Sequence, residues 1–369
     1  MPVLITFDFP PRIGGIQRYC ASLAAALHAG GHAVAVVAPA SAGAREHDAR
    51  LDLPVFRFTG STRIGRIVAA KRALALARAA VDDGFTIAGS WLPAGLIAAY
   101  APGRAGGHLT VLAHGTEIRP HGPPWRVGLL RTVAARADLI AANSRCTADL
   151  LRSAGVRRDV AVLNCGVEAR PLVRRPASVP TILSVGRLVP RKGFDRVIQA
   201  LPALRERIPQ VRYVVAGDGP YRTALEAETA RLGVADRVAF LGAVDDAALR
   251  EAYAQAWCFA MPARSVGDDT EGFGIVYLEA AMAGLPSVGG RETGAEDAIV
   301  DGHTGLLTDG NDPRSIGLAL ETLLCDRARA AAFGSAARAR ALAHFAWPNI
   351  ARELAALTGM QPLAQQCSA

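Results

Sequence analysis

"EGFGIVYLEAAMAGLPSVGG" runs from Glu271 to Gly290 and sets two carboxylates, Glu271 and Glu279, around a glycine-punctuated start. Gly272 and Gly274 favour a loop at Glu271, and the apolar run behind them predicts a helix beginning at Phe273–Ile275. Glu279 then lies about one turn inside that helix. A carboxylate in so apolar a segment is costly unless something satisfies it. The helix start suggests what does: its free N–H groups and positive dipole end suit a phosphate. A diphosphate there would bring a ribose beside Glu279 and the sugar on its far phosphate beside Glu271.

Outward from this stretch, short β-branched runs alternate with Ala-rich helical ones. Strands are predicted at Val3–Phe7, Ala33–Val37, Leu109–Ala113 and Leu139–Ala142, then at Thr181–Val185, Tyr213–Ala216, Val238–Leu241 and Cys258–Met261. Continuous apolar strands separated by helices read as parallel sheets covered on both faces. A chain of 369 residues also exceeds a comfortable single core. The expected class is therefore α/β, with two doubly wound Rossmann-like domains facing a cleft, since such sheets bind ligands beyond the carboxyl ends of their strands. The alternation pauses at "EARPLVRRPASVP" (Glu168–Pro180), which reads as a linker. The expected division is residues 1–170, 171–345, and a helix and tail over 346–369 that packs back on the N-terminal domain.

Composition removes other classes. Apolar residues make up 51% and charged ones 20%, which is globular rather than disordered. No apolar run reaches the length of a bilayer span, and MPVLITFDFPP lacks the basic flank and cleavage site of a signal peptide. Six scattered cysteines, none in a C-x-x-C pair, argue against disulfides or zinc and for a reducing cytoplasm. Gly30 and Gly31 break the helix between His28 and His32, so those two are not expected to share a metal. No D-x-D occurs, so the site is expected to hold no metal and no cofactor. The net charge of +8 fits a polyanionic ligand or an acidic surface; without basic–aromatic interleaving, nucleic acid is not expected as a partner.

Two strand ends carry further chemistry. "DFPPRIGGIQRY" (Asp8–Tyr19) follows the first strand, and Gly14 and Gly15 let backbone approach a ligand at the start of a helix. It is not the dinucleotide fingerprint, since G-x-G-x-x-G is missing. "SVGRLVPRKGFD" (Ser184–Asp195) follows another strand with Arg187, Arg191 and Lys192, a planar fork and a point charge suited to phosphate oxygens.

Together, "DFPPRIGGIQRY", "HGTE", "GRLVPRKG", "AGDGP", "FAMPAR", "EGFGIVYLEAAMAGLP" and "DGHTG" resemble the retaining glycosyltransferases of family 4, with the GT-B fold, and among them the actinobacterial phosphatidylinositol mannosyltransferases. The resemblance covers nearly the whole chain in the family's order. It implies that Gly14 and Gly15 contact the diphosphate and that Arg187 and Lys192 neutralise it as it leaves. It also implies that Glu271 holds sugar hydroxyls, that Glu279 holds the ribose, and that the amides of Phe273, Gly274 and Ile275 cradle phosphate and sugar. His114 in "AHGTE" becomes a donor-sugar contact. The implied donor is a nucleotide sugar, GDP-mannose first, and the acceptor a lipid-linked or glycan hydroxyl. Thr293 stands where the family often has glycine, while Asp297 keeps the family's acid. A UDP-sugar with a soluble acceptor, an epimerase on the same fold, a nicotinamide dehydrogenase and a binding protein without turnover stay open beside it.

"STRIGRIVAAKRALALARAA" (Ser61–Ala80) predicts a helix on which Arg63, Arg66, Lys71 and Arg78 share an arc of roughly 140° at 100° per residue, with Arg72 elsewhere. Ile67, Leu74 and Val81 would form its buried side. Related lipid mannosyltransferases use a basic helix against anionic membrane. The expectation is a cytoplasmic enzyme peripheral on the inner leaflet.

Overall fold

The computed structural model describes residues 2–81, 84–101, 107–170 and 172–362. The Val81 side chain, Pro171 of the linker and Cys367 in the tail lie outside the described residues.

The chain divides into two units, Met1–Gly166 with Ala346–Ala369, and Val167–Phe345. The first is built on seven parallel strands: β1 (Val3–Ile5), β2 (Ala35–Pro39), β3 (Val55–Phe58), β4 (Phe85–Ala88), β5 (His108–Ala113), β6 (Leu139–Ala142) and β7 (Val160–Val162). Their order is β3-β2-β1-β4-β5-β6-β7, with Val3 beside Ala35 on one side and Thr86 on the other. The order reverses between β1 and β4, which is where a doubly wound sheet opens a crevice for ligand. Helix Gly15–Ala29 buries Tyr19, Cys20, Leu23, Ala24 and Leu27, one stripe at helical spacing. The C-terminal helix Trp347–Thr358 packs on it, with the Trp347 ring edge-on to Tyr19 at 5.3 Å.

The second unit repeats the plan with β8 (Thr181–Val185), β9 (Arg212–Ala216), β10 (Val238–Gly242), β11 (Cys258–Met261), β12 (Ser287–Gly290) and β13 (Gly305–Thr308), ordered β10-β9-β8-β11-β12-β13. Here the switch falls between β8 and β11, paired through Ile182 and Cys258. Helix Phe194–Arg207 buries Val197, Ile198, Leu201 and Leu204 against that sheet, on one side of which the core also takes Tyr213 and Leu320.

Two expectations change. The strands β3, β4, β7, β12 and β13 were not predicted; each has three or four residues. The segment read as a linker is in large part a strap on the second unit. Arg174 donates to the carbonyls of Gly284 (3.1 Å) and Ala256 (2.5 Å). The amides of Arg175 and Ala177 donate to Ala254 and Gln255, and Trp257 Nε1 donates to the Ala177 carbonyl. Its arginines show no period because each answers to individual partners rather than to a face: Arg174 to two carbonyls, and Arg175 to the Glu251 carboxylate at 2.7 Å.

Candidate active site

In the second unit the chemistry gathers at the switch point. Past β8 the chain makes a tight turn over Pro190–Lys192, closed by Gly193 in the left-handed region at φ 74°. A Cβ on Gly193 would fall on the Pro262 carbonyl oxygen, so only glycine lets the loops after β8 and β11 approach this closely. A second clasp joins the same loops. Arg264 makes two parallel 2.9 Å bonds to the Asp195 carboxylate, both side chains buried.

Lys192 is 8% exposed, and its Nζ lies 3.0 Å from Glu271 Oε2 and 3.3 Å from Met261 Sδ. Glu271 is likewise 8% exposed. Arg191 Nη1 donates to the same Oε2 at 2.8 Å, while its Nε reaches Asp269 Oδ1 at 3.0 Å. Burial pushes the Glu271 carboxyl up, but the charges and hydrogen bonds of Lys192 and Arg191 outweigh it and hold the group below its ordinary value. Glu271 is therefore a buried carboxylate kept ionised by two cations. Arg187 stands apart: it is exposed, and no hydrogen bond or ion pair links it to a described residue.

Helix Ile275–Met282 begins where the sequence predicts it, capped by Gly274 at φ 83° with no side chain on its first N–H groups. Phe273 is buried, its ring 6.0 Å from that of Phe345. Glu279 sits half-buried one turn in, and its Oε2 accepts from the Tyr253 hydroxyl at 3.0 Å.

In the first unit, Gly14 and Gly15 open helix Gly15–Ala29, and nothing lies within 4 Å of where a Gly15 Cβ would be. Gln17 Nε2 donates to Asp8 Oδ1 at 2.8 Å; burial raises the Asp8 carboxyl, opposed by the nearby His114 and Arg12. The loop is held from outside by Arg57, which donates to the Pro10 carbonyl (2.8 Å) and grips Asp48. His114 is buried, with Nε2 2.8 Å from the Gly89 carbonyl. A carbonyl only accepts, so Nε2 carries the proton. The His114 amide donates to Glu117 Oε1 at 2.7 Å, and its ring stands edge-on to Tyr19.

Lys192 and Glu271 are thus in direct contact, Glu279 is held at its helix, and Arg187 touches neither acid. Expectation named Arg191 in the basic run but not as a partner of Glu271, and it missed Asp269, Tyr253, Asp8, Gln17 and the Asp195–Arg264 clasp. Asp8 and Gln17 lie inside the quoted Gly-Gly motif, and Arg191 precedes Lys192, so adjacency was the available signal.

Helix Arg63–Val81 forms as predicted, but its outward face differs from the expected stripe. Ile64 and Leu76 are 76% and 65% exposed, with Val68 and Arg72 in the same row. Arg63 is exposed and Arg66 and Lys71 are half-buried, whereas Arg78 turns to Thr86 Oγ1 of β4 at 2.8 Å. Arg78 is thus a tie to the sheet and not part of a free cationic row. Among the described residues no helix is long and apolar enough to cross a membrane.

Two parallel sheets, one of 3-2-1-4-5-6-7 and one of 3-2-1-4-5-6 order, with a basic turn locked to a glutamate ahead of a helix start, define a GT-B glycosyltransferase, a hexosyltransferase. The family of glycosyl transferases group 1 matches residues 168–340, and that of Glycosyltransferase Family 4 matches residues 13–170. A GDP-mannose-dependent alpha-(1-6)-phosphatidylinositol monomannoside mannosyltransferase of Mycolicibacterium smegmatis is 35% identical over 99% of this chain and 100% of its own. A GDP-mannose-dependent monoacylated alpha-(1-6)-phosphatidylinositol monomannoside mannosyltransferase of Corynebacterium glutamicum is 30% identical over 98% of both chains. Among solved structures, Anabaena HepE in complex with UDP and glucose superposes with a TM-score of 0.81 at 23% identity, covering 98% of this chain and 100% of that one. The chain belongs to glycosyltransferase family 4.

Proposed function

We propose that this enzyme transfers mannose from GDP-mannose to a hydroxyl of a mannosylated phosphatidylinositol, with retention at the anomeric carbon. The observation that carries the reading is the ionised, buried Glu271, held by Lys192 and Arg191 just ahead of a helix start that has no side-chain cap. The full-length likeness to GDP-mannose-dependent enzymes supports the choice of sugar and acceptor. In this reading Glu279 takes the ribose diol, and the amides of Phe273, Gly274 and Ile275 take phosphate and sugar. Gly14 and Gly15 contribute amides to the diphosphate, and His114 contributes a contact to the donor sugar. The acceptor oxygen bonds to the anomeric carbon as the carbon–phosphate oxygen bond breaks. The departing phosphate, neutralised by Lys192 and Arg187, takes the acceptor proton on the same face. Preorganised charge of this kind acts where charge develops in the transition state. Because protein cations meet the diphosphate, no divalent metal is assigned, and activity is expected to persist in excess EDTA. A magnesium-reversible loss would overturn that assignment.

A lipid acceptor requires a visit to a membrane from the cytoplasm. Helix Arg63–Val81 is assigned to it, with Arg63, Arg66 and Lys71 supplying charge and Ile64, Val68 and Leu76 apolar contact. Each basic residue near an anionic leaflet contributes about 1 kcal/mol, enough for reversible docking.

The test is a thermal-shift screen of nucleotide sugars, followed by transfer assays of the best donor with phosphatidylinositol mannoside and with soluble acceptors. Stabilisation by GDP-mannose and lipid product supports the reading. Preference for a UDP-sugar, or transfer only to a soluble acceptor, overturns it.

A further inference from the structure

The turn Pro190–Lys192 sets two neighbouring cations on a single oxygen, 2.8 and 3.0 Å from Glu271 Oε2. Two cations this close and this buried repel unless anions hold them, and the two are not held alike. Lys192 has a thioether, Met261 Sδ, as its other partner, a weak acceptor. Arg191 is anchored at both ends. Its Nε is bound to Asp269, and its carbonyl accepts from the Arg264 amide at 2.8 Å. Asp269 in turn closes a small hairpin with Val266, through amide–carbonyl bonds of 2.9 and 3.1 Å, and Ser265 Oγ donates to Thr270 Oγ1 beside it. That hairpin ends at Glu271. A lysine ammonium on its flexible stem can turn to a new partner, whereas a guanidinium fork pinned on two carboxylates stays.

We propose that Arg191 is a positioning residue, which keeps the Glu271 carboxylate aimed at the donor sugar when Lys192 turns from Glu271 to the donor diphosphate. The inference rests on the donor site assigned above. Three further groups bear on Glu271: Lys192 and Arg191 as cations, and the buried Tyr277 hydroxyl, which burial and the Glu271 charge keep neutral. Asp269 acts on it through Arg191. Without Arg191, departure of Lys192 would leave a buried carboxylate with no countercharge, and such a group takes up a proton.

The experiment compares wild type, Arg191→Gln, Arg191→Lys and Lys192→Ala, reading GDP affinity by calorimetry and kcat and KM for GDP-mannose across pH. Arg191→Gln is expected to bind GDP within about twofold of wild type while kcat falls roughly 10- to 100-fold, the scale of a misplaced reacting group. Its acid limb moves up by about one pH unit, and Arg191→Lys restores most of that limb. Wild-type kcat with an unmoved acid limb overturns the proposal, and so does a loss confined to GDP affinity. Lys192→Ala separates the two ideas: if it transfers normally, the donor site itself is misassigned. Should Arg191→Gln fail to fold, Asp269→Ala releases one arm of Arg191 while leaving both cations on Glu271. A lowered kcat at unchanged GDP affinity then supports the anchoring, and wild-type kcat overturns it.

Discussion

Lys192 and Arg187 carry the same expected role in "GRLVPRKG", yet their surroundings separate them. Arg187 is exposed, and Arg187→Ala is expected to lower transfer by roughly two orders of magnitude with an unchanged melting temperature. Lys192, by contrast, is buried against Glu271. Lys192→Ala should cost a similar factor in turnover and also about 1–3 kcal/mol of stability, because a buried carboxylate loses one of its two cations. Calorimetric melts of the two variants check the difference. The lowered Glu271 value has its own consequence. The folded protein holds fewer protons there than the unfolded chain, so the stabilisation is complete above the ordinary value of 4.5 and is lost as pH falls through the lower folded value. Melting curves between neutral and acid pH should show this loss, with a smaller acid-side dependence in Lys192→Met. None of the pairing was legible in the sequence, where nearly eighty positions separate Lys192 from Glu271. What was legible was residue type and local spacing: the basic run at Arg187–Lys192, and a glutamate ahead of a glycine-started helix.

Helix Ile275–Met282 depends on one backbone conformation. Gly274 sits at φ 83°, and a Cβ there would come 2.5 Å from the Tyr277 ring. Gly274→Ala therefore adds strain and a clash, and is expected to cost more than the 1 kcal/mol or so of an ordinary glycine exchange. It should weaken nucleotide binding at the same time. Glu279→Ala should chiefly weaken GDP affinity, and Tyr253→Phe should reproduce a few-fold part of it, through loss of the 3.0 Å bond that orients the carboxylate. Glu271→Ala should damage transfer and leave GDP affinity nearly intact; the opposite assignment of effects by titration and kinetics would reverse the nucleotide in its site. This helix and the apolar central strands were readable because period and length agree. The five missed strands fail on one or both: β12 reads Ser-Val-Gly-Gly, β3 carries Arg57 inside Val-Phe-Arg-Phe, and β7 has three half-buried residues. Their pairing comes from neighbours across the sheet rather than from their own pattern.

At the scale of the whole molecule, α/β alternation made both sheets legible, since a crossover helix between apolar strands leaves little other topology open. The strap over residues 172–180 was not, because its order comes from carbonyls far away in the chain. The proposed membrane encounter also belongs to this scale. Exchange of Arg63, Arg66 and Lys71 for Glu should abolish co-sedimentation with anionic vesicles and spare GDP binding; wild type that ignores such vesicles at low salt would sink it. The chain leaves the first unit after Gly166 and re-enters it at Ala346, and the Val167 amide donates to the Phe345 carbonyl at 2.7 Å across those two crossings. The second unit is thus an inserted cassette whose ends are already pinned together. Gly166 beside Trp347 keeps the flanking ends equally near, since a Cβ there would strike the indole. A few residues of spacer would close either piece on itself. Exchanging residues 167–345 for those of a relative with another donor should therefore change which sugar nucleotide is used while keeping the acceptor, a modular recombination that the paired crossings make sterically simple.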